Sequence, residues 1–485
     1  MVDLLSVSIG VLAASSLGIP LFQLMPERKL LPGCTLAGAL MAAMGLIAVY
    51  SANPVKSEWF GSLLASDTLG CFFALVTLGV TLLVTVASLG YFKTAYAGIY
   101  YGLLSTAALG MLILSFSQDL LMLFIAWELM SLPTYALAGF DKHRAQSNEA
   151  SVKYAIIGAT SSAIILYAIS LSYGLTGSTQ ISAVISGFGS NPTLLTGLAV
   201  LLFIAGFGFK MAVVPFHMWI PDVYEGAPNA VTTLLAAATK KAGFIAAIRV
   251  LLGLSTAYAL TQNPIFSMAN VFAVLALLTM TLGNVAALTQ KSMLRMLAFS
   301  SIAQAGYILV GFVPYAGNYS YAASTLGMTG ALFHVLNHAI MKGVAFLVAG
   351  LVLLQLKRAD MGAYNGLGKR MPYAAFTLTI AFLALAGVPP LNGFWSKLLL
   401  FLSVANGPYV WLAVAGIVNS AFSLGYYAWV IKRMYLDEPQ GTETVREPFV
   451  YIAVFAVAVG LMIGIGLFPQ AVLNFASNAV SAIVP

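Results

Sequence analysis

Long apolar runs alternate with short polar breaks along this chain, and the runs recur at membrane-spanning length. A helix crosses the hydrocarbon core with ~20 apolar residues. Fourteen such segments fit between the turn signals, and we number them as spans in chain order. They begin near Leu4, Leu30, Thr68, Ile99, Leu120, Ala150, Leu194, Ala230, Phe266, Ser292, Tyr321, Pro372, Val410 and Phe449. The Tyr321 segment is long enough to bend, and the tail from Pro469 to Pro485 is expected at the membrane interface. The pattern predicts an all-α polytopic membrane protein of about 14 transmembrane helices.

Two spans carry breaks. In span 7, Lys210 precedes Met211-Ala212-Val213-Val214-Pro215-Phe216-His217. Pro215 has no N–H, which frees the carbonyl of Met211. In span 12, Gly387-Val388-Pro389-Pro390-Leu391-Asn392-Gly393 cannot form regular helix, and Lys397 follows it. Irregular backbone at membrane depth persists only where protein or internal water satisfies it. Spans 7 and 12 are five apart, so they run in opposite directions. Interrupted helices at corresponding places in two halves point to an inverted-repeat transporter. The expected organisation is a three-helix segment at 1–95, a first antiporter-like half at 96–255 (spans 4–8), a second at 256–440 (spans 9–13), and a final helix and tail at 441–485.

Composition supports the membrane reading. Of the 485 residues, 60% are hydrophobic and 8% charged, against roughly a quarter charged in soluble domains. A length of this order suits about three soluble domains, but no long polar linker interrupts the apolar pattern, so one continuous bundle is expected. The net charge of +7 does not indicate nucleic acid, because the basic residues sit in short loops between apolar segments. Met1-Val2-Asp3 leads into the first apolar run with no basic region and no cleavage site, so no signal peptide is expected. Cys34 and Cys71 lie in apolar segments. An iron–sulfur cluster takes four thiolates, so none is expected in this chain. There is no dinucleotide fingerprint, and Gly366-Leu367-Gly368-Lys369-Arg370 has the wrong spacing for a phosphate loop and reads as a basic loop.

The positive charges test the count of spans. Fourteen of the 22 lysines and arginines fall in odd-numbered connections: Arg28, Lys29, Lys93, Lys142, Arg144, Lys291, Arg295, Lys357, Arg358, Lys369, Arg370, Lys432, Arg433 and Arg446. Lys56 alone falls in an even one. The positive-inside rule then puts odd connections in the cytoplasm and both termini outside. A miscounted helix would scramble this alternation.

The other basic residues fall inside spans: Lys153, Lys210, Lys240, Lys241, Arg249, Lys342 and Lys397. Each intramembrane charge costs roughly 2.5–3.5 kcal/mol on insertion scales. Snorkelling from a helix end accounts for Arg249 and Lys153. It does not account for Glu128, Lys210, Lys240 or Lys342, which lie well inside their spans. Glu128 sits halfway along span 5 and would take up a proton if unpaired, so an ammonium is expected beside it, with Lys210 the natural candidate. His217, just past the proline of span 7, is read as a relay. Span 11 places His334, His338 and Lys342 on one face at steps of four residues, roughly 6 Å of rise each. Two histidines so spaced can share a metal ion, but no nearby carboxylate or cysteine completes a site. A proton wire fits better, since histidine titrates near neutral pH. Lys240 and Lys241 point about 100° apart on a helix, so one of them is expected to face the axis. A polar axis then runs through Glu128, Lys210, Lys240, Lys342 and Lys397.

The same residues carry a family resemblance. The stretch Phe209-Lys210-Met211-Ala212-Val213-Val214-Pro215-Phe216-His217-Met218-Trp219-Ile220-Pro221-Asp222-Val223-Tyr224-Glu225-Gly226-Ala227-Pro228 closely resembles the signature of the N subunit of complex I and its relatives. Its Val-Tyr-Glu-Gly is similar to N subunits rather than to M and L subunits or Mrp-type antiporters. Glu149 to Tyr154, Gln290 to Ile302, and Leu385 to Pro390 with Gly393, Phe394 and Lys397 resemble the family too. The resemblance covers about residues 90–440. His334 to Gly343 is more similar to span 11 of M or L subunits. The resemblance implies that Glu128, Lys210, Lys240 and Lys397 carry a proton path. Lys153 and His217 are its accessory groups, and the breaks are at Pro215, Pro389 and Pro390.

It also implies a multi-pass protein of a prokaryotic cell membrane, embedded in the lipid bilayer among M-, L-, K-, A-, J- and H-type membrane subunits. A peripheral redox arm acts on it indirectly. Iron–sulfur clusters, flavin and quinone or methanophenazine are expected in partner subunits, with NADH, ferredoxin or reduced deazaflavin as donor; no cofactor or metal is expected in this chain. Two other classes stay open at this point, a stand-alone or Mrp-type cation/proton antiporter subunit and a structural membrane subunit with a vestigial axis, as does an M-type subunit of the same complex. Comigration with redox subunits separates the first from a redox-driven pump, and intact pumping after loss of Lys210 or Glu128 identifies the second.

Overall fold

The computed structural model describes residues 4–25, 27–52, 58–59, 62–90, 96–190, 193–257, 267–439, 444–481 and 483. Met1 to Asp3, Lys56, Lys93 and the expected helix start at Phe266 lie outside the described residues, as do residues 95 and 441 at two expected domain boundaries.

Among the described residues, twelve helices are long and apolar enough to cross a membrane. They are span 1 (Leu4–Leu24), span 2 (Leu31–Ala52), span 3 (Thr68–Leu89), span 4 (Ala97–Phe116), span 5 (Leu120–Ala138), span 6 (Ala145–Thr176), span 7 (Leu194–Met211), span 9 (Met268–Leu288), span 10 (Met293–Val310), span 11 (Tyr321–Leu356), span 13 (Val410–Leu436) and span 14 (Phe449–Leu467). Two more complete the fourteen. Span 8 is helical over residues 229–257, with π-helical turns at Leu235–Thr239 and Ile248–Leu252. Span 12 is the pair Pro372–Ala386 and Asn392–Ala405. The expected starts agree within five residues, and span 11 is one unbroken helix.

The polar breaks place the helix starts. Asp67, Asp119, Thr193, Ser267 and Ser320 cap spans 3, 5, 7, 9 and 11 through their side chains. Each capping oxygen satisfies a backbone N–H that the first turn leaves unpaired. All five caps lie at even-numbered connections, hence on one side of the bundle. The same side carries three elements that the hydrophobic pattern does not predict. One is a hairpin of Glu58–Trp59 and Leu64–Ala65, and another the short helix Ile181–Ser190. The third is the terminal helix Gln470–Val480, which packs on spans 3 and 11. Two-residue strands have no period to read, and ten residues are too few to span.

The packing repeats between halves. Span 4 packs on span 5 and span 6 on span 7, as span 9 packs on span 10 and span 11 on span 12. Span 8 runs through the middle: from Ala230 to Ser255, every residue except Arg249 and Gly253 is buried. The second break depends on one small residue. A Cβ on Gly393 would stand 1.8 Å from the carbonyl oxygen of Ala384, so the two halves of span 12 pass each other only at a glycine.

Arg249 does not snorkel. It donates to both carboxylate oxygens of Asp67, at 2.9 and 2.8 Å, and to the carbonyl of Ser115. Its side chain is only 6% exposed, held inward by Asp67 and the Ser115 carbonyl rather than extended to a free surface. Arg249→Ala should strand the Asp67 carboxylate and destabilise the fold by about 3 kcal/mol, the cost of breaking a largely buried pair. Thermal unfolding of the solubilised protein should show a lowered midpoint; an unchanged midpoint contradicts the assignment.

Candidate functional site: a buried row of amines

The first part of the row is built on spans 5, 6 and 7. Lys210 is buried at the last turn of span 7, where the helix ends at Met211 and Ala212 turns left-handed with φ +68°. Its ammonium donates to Ser131 Oγ at 3.0 Å and Tyr154 OH at 2.8 Å, and lies 5.0 Å from the Tyr154 ring centroid. Trp219 stacks on Tyr154 and donates its Nε1–H to the carbonyl of Phe209, at 3.0 Å. Val214 N–H finds Thr279 Oγ1 of span 9 at 3.1 Å. Neighbouring side chains thus reach two backbone groups at the break, the Phe209 carbonyl and the Val214 N–H.

Lys210 is the ammonium near enough for the charge of Glu128 to act on it, as expected, but the two make no direct ion pair. Glu128 accepts from Ser162 of span 6 instead, and among the described residues no carboxylate lies within salt-bridge distance of Lys210. The reason is azimuth. Leu121, Ile125 and Leu132 are exposed on one face of span 5, and half-buried Glu128 shares it at helical spacing. Lys210 is held from the inner face by Ser131.

The centre of the row corrects a second expectation. Lys240 and Lys241 are both buried, because span 8 is enclosed on every side. Lys240 donates to the Ser301 carbonyl at 2.6 Å and its hydroxyl at 3.1 Å, while Lys241 contacts His338 Nδ1. Thr239, next in sequence, faces the Tyr154 phenol that holds Lys210.

The second part lies on spans 10 to 13. Lys342 donates to Ser300 Oγ at 2.6 Å, and Ser300 bonds Tyr427. His334 and His338 stack with centroids 6.3 Å apart. His334 bonds Ser396 Oγ and Gln304 Oε1, each at 2.9 Å. Lys397 donates to the carbonyls of Leu385 and Ala386, at 2.9 and 3.1 Å, and to Ser420 Oγ at 3.2 Å. In this break the lysine itself satisfies the carbonyls. Pro215, Pro389 and Pro390 are exposed, so both breaks turn their prolines outward and their lysines inward.

Lys153 stands apart from the row. It bonds Glu149 at 2.7 Å and Asp222 at 2.6 Å, and Arg295 joins Asp222 to Glu225. Burial opposes ionisation of Asp222, but the bonds from Lys153 and Arg295 outweigh it and hold its pKa below the usual carboxylate range. This cluster rims a cavity of about 400 Å³ on the odd-connection side. A second, of about 610 Å³, opens on the even side over Asp67 and Arg249. His217 is buried just past the first break, and among the described residues its Nδ1 has no partner. Sequence reasoning gave no role to Ser131, Ser162, Gln304, Ser396 and Ser420, whose signal was polarity inside apolar runs, nor to Tyr154, Ser300 and Ser301, which lie within the family-like stretches.

Residues 117–423 match a family described as "NADH:quinone oxidoreductase/Mrp antiporter, TM". The chain is 43% identical over 447 residues to F(420)H(2) dehydrogenase subunit N of Methanosarcina mazei, covering 89% of this chain and 87% of that one. It is 39% identical to NADH-quinone oxidoreductase subunit N of Desulfitobacterium hafniense, covering 86% of each. A chain of respiratory complex I from Thermus thermophilus with bound aureothin superposes with a TM-score of 0.80 at 30% identity, covering 97% of this chain and 99% of that one. With this family match and these full-length relatives, the chain belongs to the NADH:quinone oxidoreductase/Mrp antiporter membrane family, among the N subunits of complex I-like enzymes.

Proposed function

We propose that the row from Glu128 through Lys210, Lys240, Lys241, His338, Lys342 and His334 to Lys397 is a proton path driven by electron transfer in partner subunits. One observation carries this reading. Lys210, Lys240, Lys241, Lys342 and Lys397 are each at most 4% exposed, and among the described residues none has a carboxylate within salt-bridge distance. Five buried ammonium ions without counterions repel one another at low dielectric. Their partners are hydroxyls, carbonyls and one imidazole. A hydroxyl accepts from an ammonium and can donate to an amine, so these partners suit a group that gains and loses its proton.

Glu128 is the proposed input. It is a carboxyl group on an exposed apolar face, where a neighbouring membrane subunit would reach it. A charge arriving there biases Lys210 and shifts the row between two states. The chain acts as a non-redox translocase subunit. The names of its relatives support NADH or F(420)H(2) as the electron source and a quinone as acceptor; on this reading flavin and iron–sulfur clusters sit in other subunits. The charge alternation supports cytoplasmic odd connections and both termini outside. On that orientation the Asp222 cluster faces the cytoplasm and the Asp67 cavity faces out.

The test is proton uptake by vesicles carrying the whole complex. Glu128→Ala and Lys210→Ala should lower it at least about tenfold with the complex assembled, a conservative fraction of what a positioned proton-transfer group contributes. Wild-type uptake in both would favour a structural subunit with an idle row. A complex that pumps with no copurifying redox subunits would favour the antiporter reading. Because both neighbours on span 8 are interior, Lys241→Met should impair uptake as much as Lys240→Met. Wild-type uptake in Lys241→Met would remove Lys241 from the path.

A further inference from the structure

Gln304 lies in span 10 with its amide between His334 and the break in span 12. Its Nε2 is 3.2 Å from the carbonyl oxygen of Leu385, the same oxygen that accepts from Lys397. A carbonyl can only accept, so the NH₂ group must point there, and the amide orientation is set by its surroundings. Gln304 Oε1 therefore faces His334 Nε2, at 2.9 Å. That oxygen can only accept, so Nε2 must carry a hydrogen in both the neutral and the charged imidazole.

The other ring nitrogen is then the one free to change. His334 Nδ1 is 2.9 Å from Ser396 Oγ, and the same Oγ is 3.1 Å from the carbonyl of Gly393. A serine has one hydrogen to donate. When His334 is neutral, that hydrogen points to Nδ1. When Nδ1 is protonated, it donates to Oγ, and the serine hydrogen turns to Gly393. Both states are fully hydrogen-bonded, and they differ by one proton and one hydroxyl rotation.

We propose that Gln304 is a positioning residue that confines proton exchange at His334 to Nδ1, and that Ser396 is the relay hydroxyl through which the exchange occurs. This rests on the reading of the row as a proton path. In the uptake step, Ser396 passes its hydrogen to Nδ1 and receives the incoming proton at Oγ. One N–H bond forms, one O–H bond breaks and is remade, and the site gains one positive charge. The exchange opens toward the break in span 12, where Ser396 and Lys397 are adjacent. The ionisable groups facing the site are Lys241 from span 8, Tyr307 from span 10, His338 on span 11, Lys397 from span 12 and Tyr427 from span 13.

The test compares conservative and disruptive variants in vesicles carrying the assembled complex. Ser396→Ala should lower proton uptake at least about tenfold, and Ser396→Thr, which keeps the hydroxyl, should restore most of it. Gln304→Met keeps the volume but removes the neutral acceptor for Nε2–H, so it should lower uptake and also move its pH profile, because both ring nitrogens can then exchange. Should Ser396→Ala fail to assemble, Gln304→Met decides. Uptake lowered with an unchanged pH profile would make Gln304 a prop for the break and overturn the proposal. Wild-type uptake in Ser396→Ala, with uptake lost in Lys397→Met, would also overturn it while leaving the proton path intact. Wild-type uptake in both would sink the path reading itself.

Discussion

Charge and unpaired backbone are expensive in a bilayer, and that single cost shapes the interior of this protein. Hydrocarbon supplies no hydrogen bonds, so every buried amine and every carbonyl freed by a break must find its partner within the protein. The two breaks meet the demand differently. In span 7 the partners come from neighbours: Trp219 donates to Phe209 and Thr279 accepts from Val214. In span 12 the ammonium of Lys397 bridges the carbonyls of Leu385 and Ala386. The first break would keep its partners if Lys210 lost its proton. The second would change with the charge of Lys397, since an ammonium holds those carbonyls more strongly than an amine does.

The partners of the row share one property, which is neutrality. Where a charge has only to be stable, the fold supplies a carboxylate, as for Arg249 with Asp67 and for Arg295 with Asp222 and Glu225. Those ion pairs lie at the two sides of the bundle. Between them, hydroxyls, carbonyls and imidazoles hold the lysines. A carboxylate at contact distance would fix an ammonium in its charged form, and a purely apolar site would fix it neutral. Hydroxyls tolerate either form, which is what stepwise proton movement requires.

The sequence carried much of this and withheld a specific part. Span length, the prolines and the in-span lysines were legible because each leaves a local mark: ~20 apolar residues, a missing N–H, a charge where none belongs. Pairings between spans leave no such mark. Arg249 at a helix end resembled a snorkelling residue, because Asp67 lies far away in sequence and meets it only when span 3 packs beside span 8. Lys240 and Lys241 looked like one inward and one outward residue, because a single helix is assumed to have an outside. Span 8 has none. Lys210 was legible as the ammonium near Glu128, but not that span 5 turns Ser131 inward to hold it and leaves Glu128 on the outer face with Ser162.

A proton path along the row requires it to be continuous through water where side chains do not touch. Among the described residues, several buried polar atoms along it have no protein partner: His217 Nδ1, Tyr224 OH, His338 Nε2 and Asn392 Oδ1. Buried polar groups left unpaired by protein are generally satisfied by ordered water. The direct measurement is a cryo-EM map of the intact complex at a resolution that shows ordered water. Water density should stand on His338 Nε2 and His217 Nδ1, linking the Lys210 part of the row to the Lys397 part. Apolar side chains packed against those atoms, with no water between the two parts, would contradict it.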